Sequence, residues 1–256
     1  MSDVASFTAG VRAAHKNGFH VFAVPLMGVQ ESGGWSGSIQ FKTYAQEQAW
    51  FDSYWQMLQP YAVAAANNGV EQMAVATECQ WPQQYAPASL WNQLVTRVRG
   101  VFKNTLTYDM NWSSLTQPVA SWLRNPELAM IGVSSYIPLS DTPTRIDPSQ
   151  MITLWRDKIK NQLDSFALQL GKHVLISEIG YRDSSDALYH TWEASTNASS
   201  DPQEQAGAYT ATLTNVAADP NIAGTFFWGW DDVGRFKLKG QPAVNVLHQW
   251  YSPVQF

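Results

Sequence analysis

Hydrophobic and polar residues along the chain follow helical and strand periods in turn. The apolar positions near the N-terminus recur at helical spacing and are Val4, Phe7, Val11 and Ala14. They predict an amphipathic helix over residues 1–17, which ends at Asn17. The apolar run 19–26 then predicts a first strand. A second helical pattern covers residues 44–67, and Pro60 within it is expected to kink or divide the helix.

From there to the C-terminus, strand-like and helix-like segments alternate. Further strands are predicted near 71–77, 105–110, 128–135, 172–178 and 223–229. Further helices are predicted near 88–102, 115–124, 148–170, 202–217 and 242–250. Alternation of this kind indicates a parallel sheet with right-handed helical crossovers, and the length of 256 residues is typical of one α/β barrel. The chain is therefore predicted to be an α/β protein with a TIM-type (β/α) barrel, a single domain over 1–256. An open parallel sheet is the alternative.

Two glutamates stand where a strand-like run gives way to a loop. Glu78 follows the run 72–76, and Glu178 follows the run 173–176. In a barrel of parallel strands the carboxyl ends of the strands converge on one mouth, where the chemistry takes place. Two carboxylates at that mouth are sufficient to cleave a glycosidic bond, one as acid and one as nucleophile or base. The alternative is that both glutamates are capping or ion-paired surface residues.

Composition favours a neutral substrate. Twelve Trp, ten Tyr and eleven Phe accompany a charged content of only 14%. Aromatic faces stack on the apolar faces of sugar rings, although they also build large cores. The net charge of −5 argues against a nucleic-acid partner, which would require clustered Lys and Arg.

Cysteine and histidine usage predicts no cofactor. Cys79 is the only cysteine, so an internal disulfide is impossible, and no histidine near it in sequence would make it a catalytic thiol. The five histidines show no metal-ligand spacing, so no metal site is expected.

No stretch of the sequence approaches the roughly 20 apolar residues of a membrane span, so no membrane association is expected. The start, Met1-Ser2-Asp3-Val4, lacks the basic and apolar regions of a signal peptide. We expect a soluble chain, and its location is left open between the cytoplasm and secretion after removal of a signal.

Six short motifs occur in one order along the chain. They are Gly-Trp-Ser-Gly-Ser-Ile (34–39), Ala-Thr-Glu (76–78), Leu-Thr-Tyr-Asp-Met-Asn-Trp (106–112), Ser-Tyr-Ile-Pro-Leu (135–139), Ser-Glu-Ile-Gly-Tyr (177–181) and Gly-Thr-Phe-Phe-Trp-Gly-Trp (224–230). Taken together and in this order, they resemble glycoside hydrolase family 113. The resemblance implies a retaining (β/α)₈ hydrolase, in a family known mainly for β-1,4-mannanases.

The resemblance also implies roles for individual residues. Glu78 stands where the family has its acid/base, at the end of strand four, and Glu178 where it has its nucleophile, at the end of strand seven. Tyr136 resembles the tyrosine that holds the nucleophile, and Trp228 resembles the platform under the sugar at the cleavage point. Four further residues lie on loops that line the cleft in such enzymes: Trp35, Trp81, Asn111 and Trp112. For the tryptophans, packing in the core is the alternative.

The function expected from these observations is a retaining, endo-acting β-1,4-glycoside hydrolase, above all a β-mannanase, acting on a β-linked oligo- or polysaccharide. A β-1,4-glucanase, xylanase or chitosanase on the same scaffold is an alternative, as is a non-catalytic carbohydrate-binding barrel. A barrel enzyme for a small metabolite is a third hypothesis. Phosphate sites in such barrels use glycine-rich loops, whereas the loop 181–185 is polar.

The barrel starts late compared with the family pattern. Three strands should precede the strand that carries Glu78, but only the run 19–26 does so. The barrel is therefore predicted to be incomplete, with six recognisable strands and with open edges at 19–26 and 223–229. Open edges expose unpaired backbone groups. We therefore expect a homodimer in which a second copy covers the open side.

Overall fold

The structure is a computed structural model that describes residues 3–29, 34–231 and 234–252. Met1 and Ser2 of the signal-peptide prediction lie outside the described residues. The helices are α1 (Val4–Lys16), α2 (Tyr44–Asn67), α3 (Gln80–Tyr85), α4 (Ala88–Val101), α5 (Pro148–Trp155), α6 (Asn161–Leu170), α7 (Pro202–Ala217) and α8 (Ala243–Tyr251). The strands are β1 (Phe22–Ala23), β2 (Gln72–Thr77), β3 (Thr105–Asn111), β4 (Ile131–Ser134), β5 (Val174–Ile179) and β6 (Ile222–Phe227). The six strands predicted from the sequence are thus present.

The chain divides into two compact units. The first comprises Met1–Gly132 with Leu170–His173, and the second comprises Val133–Gln169 with Val174–Phe256. In the first unit β1 pairs with β2 and β2 with β3, both in parallel. In the second unit β5 and β6 pair in parallel. The single domain expected over 1–256 stays a prediction.

Helix α2 covers β2 in the first unit. It begins after Thr43, whose hydroxyl caps it by accepting from the backbone N–H of Gln46, and it continues through Pro60 without dividing. Its buried face consists of Phe51, Tyr54, Leu58, Ala62 and Ala65. The Tyr54 hydroxyl donates to the carbonyl of Val75 at 3.0 Å, which ties α2 to the middle of β2. This packing fixes the strand that ends just before Glu78.

Strand β1 is much shorter than predicted. The backbone N–H of Val21 donates to the Glu71 carboxylate at 2.7 Å instead of to a strand. Pro25, on the other side, has no N–H to contribute to a ladder. Only Phe22 and Ala23 remain in strand pairing, although both flanking residues lie in the predicted run 19–26.

Three helical segments also differ from prediction. The helix expected near 115–124 is a short 3₁₀ turn at Ser121–Arg124. The helix expected near 148–170 contains a π-helical turn at Arg156–Lys160, which separates α5 from α6. Helix α3 was not expected, because its six residues are too few to show a period.

The core of the second unit lies between α5, α7 and the end of β5. The Trp155 indole N–H donates to the Tyr181 hydroxyl at 3.1 Å, and that hydroxyl lies 2.9 Å from Thr212 Oγ1. Asn215 of α7 donates to the carbonyl of Ile152 at 3.0 Å. These bonds hold the segment that follows Glu178 against two helices.

Strands β1 and β6 each pair with a single strand in the described part of the chain, as expected for open edges. Within those residues, no helix combines the length and the apolar character needed to cross a membrane.

Candidate active site

Glu78 has an unusual backbone. Its φ is +52°, and among the described residues His190 is the only other non-glycine with a positive φ. The left-handed region is unfavourable for residues with a Cβ, and such strain tends to occur at functional sites. The Glu78 N–H donates to the carbonyl of Asp109 in β3 at 2.8 Å, so the neighbouring strand holds this conformation.

The Glu78 carboxylate is half-buried and held at both oxygens. The indole N–H of Trp35 donates to Oε2 at 2.8 Å, and the side-chain amide of Asn111 donates to Oε1 at 2.8 Å. Donors at both oxygens fix the orientation of this side chain. The structure therefore brings together three of the residues predicted for the site, from three separate segments of the first unit.

Two residues that were not predicted as site residues fix the positions of Asn111 and Trp35. The Asn111 side-chain oxygen accepts from both the N–H and the hydroxyl of Ser113, at 3.0 and 2.7 Å. Its amide nitrogen is thereby turned toward Glu78. A Cβ at Gly37 would lie 2.4 Å from the ring of Trp35, so only glycine there allows the indole this position. Ser113 shows no sequence signal, whereas Gly37 belongs to the motif 34–39.

Cys79 is a structural residue. It is completely buried, and its thiol donates to the carbonyl of Thr77 at 3.5 Å. Burial, together with the adjacent charge of Glu78, raises the pKa of the Cys79 thiol far above its usual value. A thiol kept protonated in this way is a poor nucleophile.

Glu178 is the corresponding carboxylate of the second unit. The Tyr136 hydroxyl donates to its Oε1 at 2.7 Å. The backbone carbonyl of Glu178 accepts from the N–H of Ser135 at 2.7 Å, so the segment after β4 is aligned with β5 at this point. Tyr136 is nearly buried, and its ring meets Phe236 edge-on at 6.0 Å. The predicted contact between Tyr136 and Glu178 is present.

Trp228 lies against the strand end that carries Glu178. The backbone N–H of Trp228 donates to the backbone carbonyl of Ile179 at 2.8 Å. A Cβ at Gly180 would lie 3.2 Å from the Trp228 carbonyl oxygen and 3.1 Å from the Phe236 ring, so a larger residue would crowd both. Gly180 is part of the motif 177–181, but its packing role could not be read from it.

The other two predicted tryptophans, Trp81 and Trp112, stand in short helical segments of the first unit. Trp81 is the second residue of α3 and joins an aromatic cluster, 5.7 Å from Phe41 and 5.4 Å from Tyr85 between ring centroids. Trp112 follows Asn111 in a 3₁₀ turn and is half-buried. Their substrate contacts stay a prediction. In residues 3–29, 34–231 and 234–252, no group of three His, Cys, Asp or Glu side chains is placed to hold a metal ion.

Comparisons with known proteins point to one family. The model of Glycoside Hydrolase Family 113 matches residues 2–247. No significant match is found among curated proteins.

Several solved structures share the fold. The GH113 β-mannanase AaManA from Alicyclobacillus acidocaldarius, in complex with ManMIm, superposes with a TM-score of 0.80 at 22% identity, covering 96% of this chain and 77% of that one. A GH113 β-1,4-mannanase gives a TM-score of 0.78 at 20% identity, covering 99% and 80%. A β-glucuronidase from Ruminococcus gnavus gives 0.65 at 13% identity, covering 94% and 41%. The predicted TIM-type fold, incomplete with six strands, is confirmed.

Proposed function

The chain belongs to glycoside hydrolase family 113, and from this membership we propose that it is a retaining, endo-acting β-1,4-mannanase. Family membership makes it a glycosidase whose substrate is a glycan. The choice of mannan rests on the similar mannanase structures, which are only 20–22% identical. Glucan, xylan and chitosan remain the competing backbones.

We assign the nucleophile to Glu178 and the acid/base to Glu78. In the first step a carboxylate oxygen of Glu178 bonds to the anomeric carbon, while Glu78 gives its proton to the leaving glycosidic oxygen. In the second step Glu78 takes a proton from water, and the resulting hydroxide displaces Glu178 from the anomeric carbon. Trp228, Trp35, Trp81, Asn111 and Trp112 are the residues proposed to contact the sugar.

The observation that carries the proposal is the way each glutamate is held. Glu78 accepts from Trp35 and Asn111, and Glu178 accepts from Tyr136. A surface glutamate that caps or forms an ion pair would not be fixed by an indole, an amide and a phenol that all occur in the family motifs. Such fixed donors are what a preorganised carboxylate requires.

A substrate panel tests the proposal. The purified protein is incubated with β-1,4-mannan, glucan, xylan and chitosan, and sugar release and the anomer first formed are measured. We expect the highest turnover on mannan, with retained configuration and internal cleavage. Glu178→Gln with wild-type turnover on the best substrate would reject the assignment. Calorimetric binding without hydrolysis after days would favour the non-catalytic barrel.

The expected homodimer remains a proposal of its own. Beside β1 lies an apolar cavity of about 510 Å³, with Leu26, Trp50 and Tyr61 among its lining residues. A second copy of the chain could cover both the edge strand and the apolar cavity, and covering them would stabilise the protein. Light scattering on a gel-filtration peak should give twice the mass of the chain, and a strict monomer at all concentrations would contradict the dimer.

A further inference from the structure

The segment between β5 and α7 has no helix or strand, yet it is tightly fixed. Arg182 is only 1% exposed, although it carries a charge. Its guanidinium donates at 2.7–2.9 Å to four backbone carbonyls of the same segment, those of Asp186, Tyr189, His190 and Glu193. A buried charge that satisfies so many carbonyls holds the backbone around it in one arrangement. Residues 182–193 are therefore a rigid loop.

This loop carries a stack of three rings. The centroids of Tyr189 and His190 are 3.8 Å apart, and those of His190 and Trp192 are 4.9 Å apart, with interplanar angles of 19° and 29°. His190 and Glu78 are the two described non-glycine residues with a positive φ, and that of His190 is +42°. Trp192 is 46% exposed. Isolated exposed hydrophobic residues are common on proteins. Here the exposed indole is held by a stack and by strained backbone, which is unusual for a residue without a role.

Polar groups that suit sugar hydroxyls lie next to the stack. The His190 ring nitrogen Nδ1 lies 3.2 Å from Oε1 of Glu193, whose side chain is half exposed. Glu193 also lines a polar surface pocket of about 550 Å³, together with Asp186, Thr196 and Asn197. Glu193 thus supplies a hydrogen-bond acceptor in the residue that follows the exposed indole, and sites for neutral ligands combine apolar surface with a few polar groups.

The same loop reaches the nucleophile through a short series of contacts. The Thr191 hydroxyl donates to the carbonyl of Tyr136, and the Tyr136 hydroxyl donates to Glu178. The Leu188 carbonyl accepts from the N–H groups of Leu139 and Ser140, both at 3.0 Å. Trp192 follows Thr191 directly in the chain. The exposed indole is thus carried by the loop that supports the residue holding Glu178.

We propose that the exposed face of Trp192 binds a sugar ring of the substrate, as a subsite away from the bond that is cleaved, with Glu193 accepting from its hydroxyls. The ligand is a neutral β-1,4-linked pyranose unit of the same chain that the active site cleaves, so the inference rests on the proposed function. A subsite of this kind contributes only to the binding of chains that are long enough to occupy it and the cleavage point together.

Chain-length dependence tests the subsite. Hydrolysis of β-1,4-mannooligosaccharides from the trisaccharide to the hexasaccharide is measured for the wild type, Trp192→Ala and Trp192→Phe. We expect Trp192→Ala to raise KM for the hexasaccharide about five- to tenfold, the size expected for one lost aromatic contact. Both kcat and the KM of the shortest cleaved substrate should stay unchanged, and Trp192→Phe should retain most of the affinity. Trp250→Ala, which removes a similarly exposed indole from α8, should behave as wild type.

Each outcome is decisive. If the wild type cleaves the hexasaccharide and Trp192→Ala equals it at every length, the subsite is wrong and the proposed function stands. If Trp192→Ala loses activity equally at every length, Trp192 acts at the reaction centre or on folding, and the subsite is again wrong. If the wild type cleaves no glycan, the proposed function fails, and calorimetry with the hexasaccharide then decides. Binding by the wild type that Trp192→Ala weakens supports the subsite, whereas equal binding or none overturns it.

Discussion

Tyr136 donates a 2.7 Å hydrogen bond to Oε1 of Glu178, from a position 42 residues earlier in the chain. The bond aligns one carboxylate oxygen and stabilises its charge. The Tyr136 carbonyl accepts a hydrogen bond from the Thr191 hydroxyl, and the Tyr136 ring packs against Phe236. The backbone and the side chain of Tyr136 are therefore both held in place. Because the proposed mechanism needs Glu178 charged and correctly turned, this pair is the most direct point at which to test it.

Tyr136→Phe should lower kcat about 10- to 100-fold, the value of one hydrogen bond to a charged group. The phenylalanine keeps the packing against Phe236, so the thermal unfolding temperature should stay near that of the wild type. Steady-state kinetics and a thermal melt measure the two effects. An unchanged kcat would show that the hydrogen bond does not contribute to catalysis.

Trp35→Phe should lower kcat about tenfold, because an aromatic ring is kept but the indole N–H that donates to Glu78 is lost. The matched control is Trp250→Phe, which makes the same change on the surface of α8. Kinetics of both variants on one substrate give the comparison. Equal losses in the two variants would argue against a role for the indole N–H.

Glu78→Gln and Glu178→Gln should respond differently to the leaving group. A substrate with an activated aryl leaving group needs no proton in the first step, so glycosyl transfer to Glu178 should survive in Glu78→Gln. On the natural glycan the same variant should lose about 10²- to 10⁴-fold. Glu178→Gln should be inactive on both substrates. Burst and steady-state kinetics with an aryl glycoside distinguish the roles, and the reverse pattern would exchange them.

Glu204 in the first turn of α7 should make stability fall as the pH rises. Burial, together with the nearby charge of Asp201, raises its pKa from 4.5 to about 7. The folded state therefore binds the proton more tightly than the unfolded state, and stability is lost between about pH 4.5 and pH 7. Glu204→Gln should be more stable than the wild type by roughly 2 kcal/mol above pH 7. Below about pH 4.5 the difference should vanish in urea titrations; a constant difference would show that no titration is involved.

Glu71 should have the opposite pH dependence. The bond from the Val21 N–H, with those involving His15 and His20, lowers its pKa from 4.5 to about 2. Its stabilisation is complete above the unfolded pKa and is lost as the pH falls toward the folded value. The side chain is 39% exposed, so Glu71→Gln should cost only about 1 kcal/mol near neutral pH. Denaturant titrations should show this cost shrinking below about pH 4.5. A cost that persists at low pH would reflect lost packing.

Local rules were enough for much of the fold. The predicted bounds of α2, 44–67, equal the observed ones, because Thr43 caps its start and Asn68-Gly69 ends it. The extent of β1 was not predictable in the same way. It depends on the bond between Val21 and Glu71, fifty positions apart, which no periodicity encodes.

The candidate site likewise contains features that the sequence predicted and features that it did not. The positions of Glu78 and Glu178 at strand ends followed from the sequence. The donors to Glu78 did not, since the direction of the Trp35 indole depends on the space left by Gly37. The fixing of the loop by Arg182 was missed, because four of the hydrogen bonds from Arg182 go to backbone carbonyls, which any residue provides.

Because Glu78 has a left-handed backbone, the residue that is best for thermal stability at position 78 differs from the residue that catalysis requires. A residue with a Cβ pays about 1–2 kcal/mol in this conformation, and glycine does not. A library randomised at position 78 and screened only for survival of heating should therefore enrich glycine, and asparagine after it. Every such survivor would have lost the carboxylate. A screen for glycan cleavage should enrich glutamate from the same library, in clones that melt earlier.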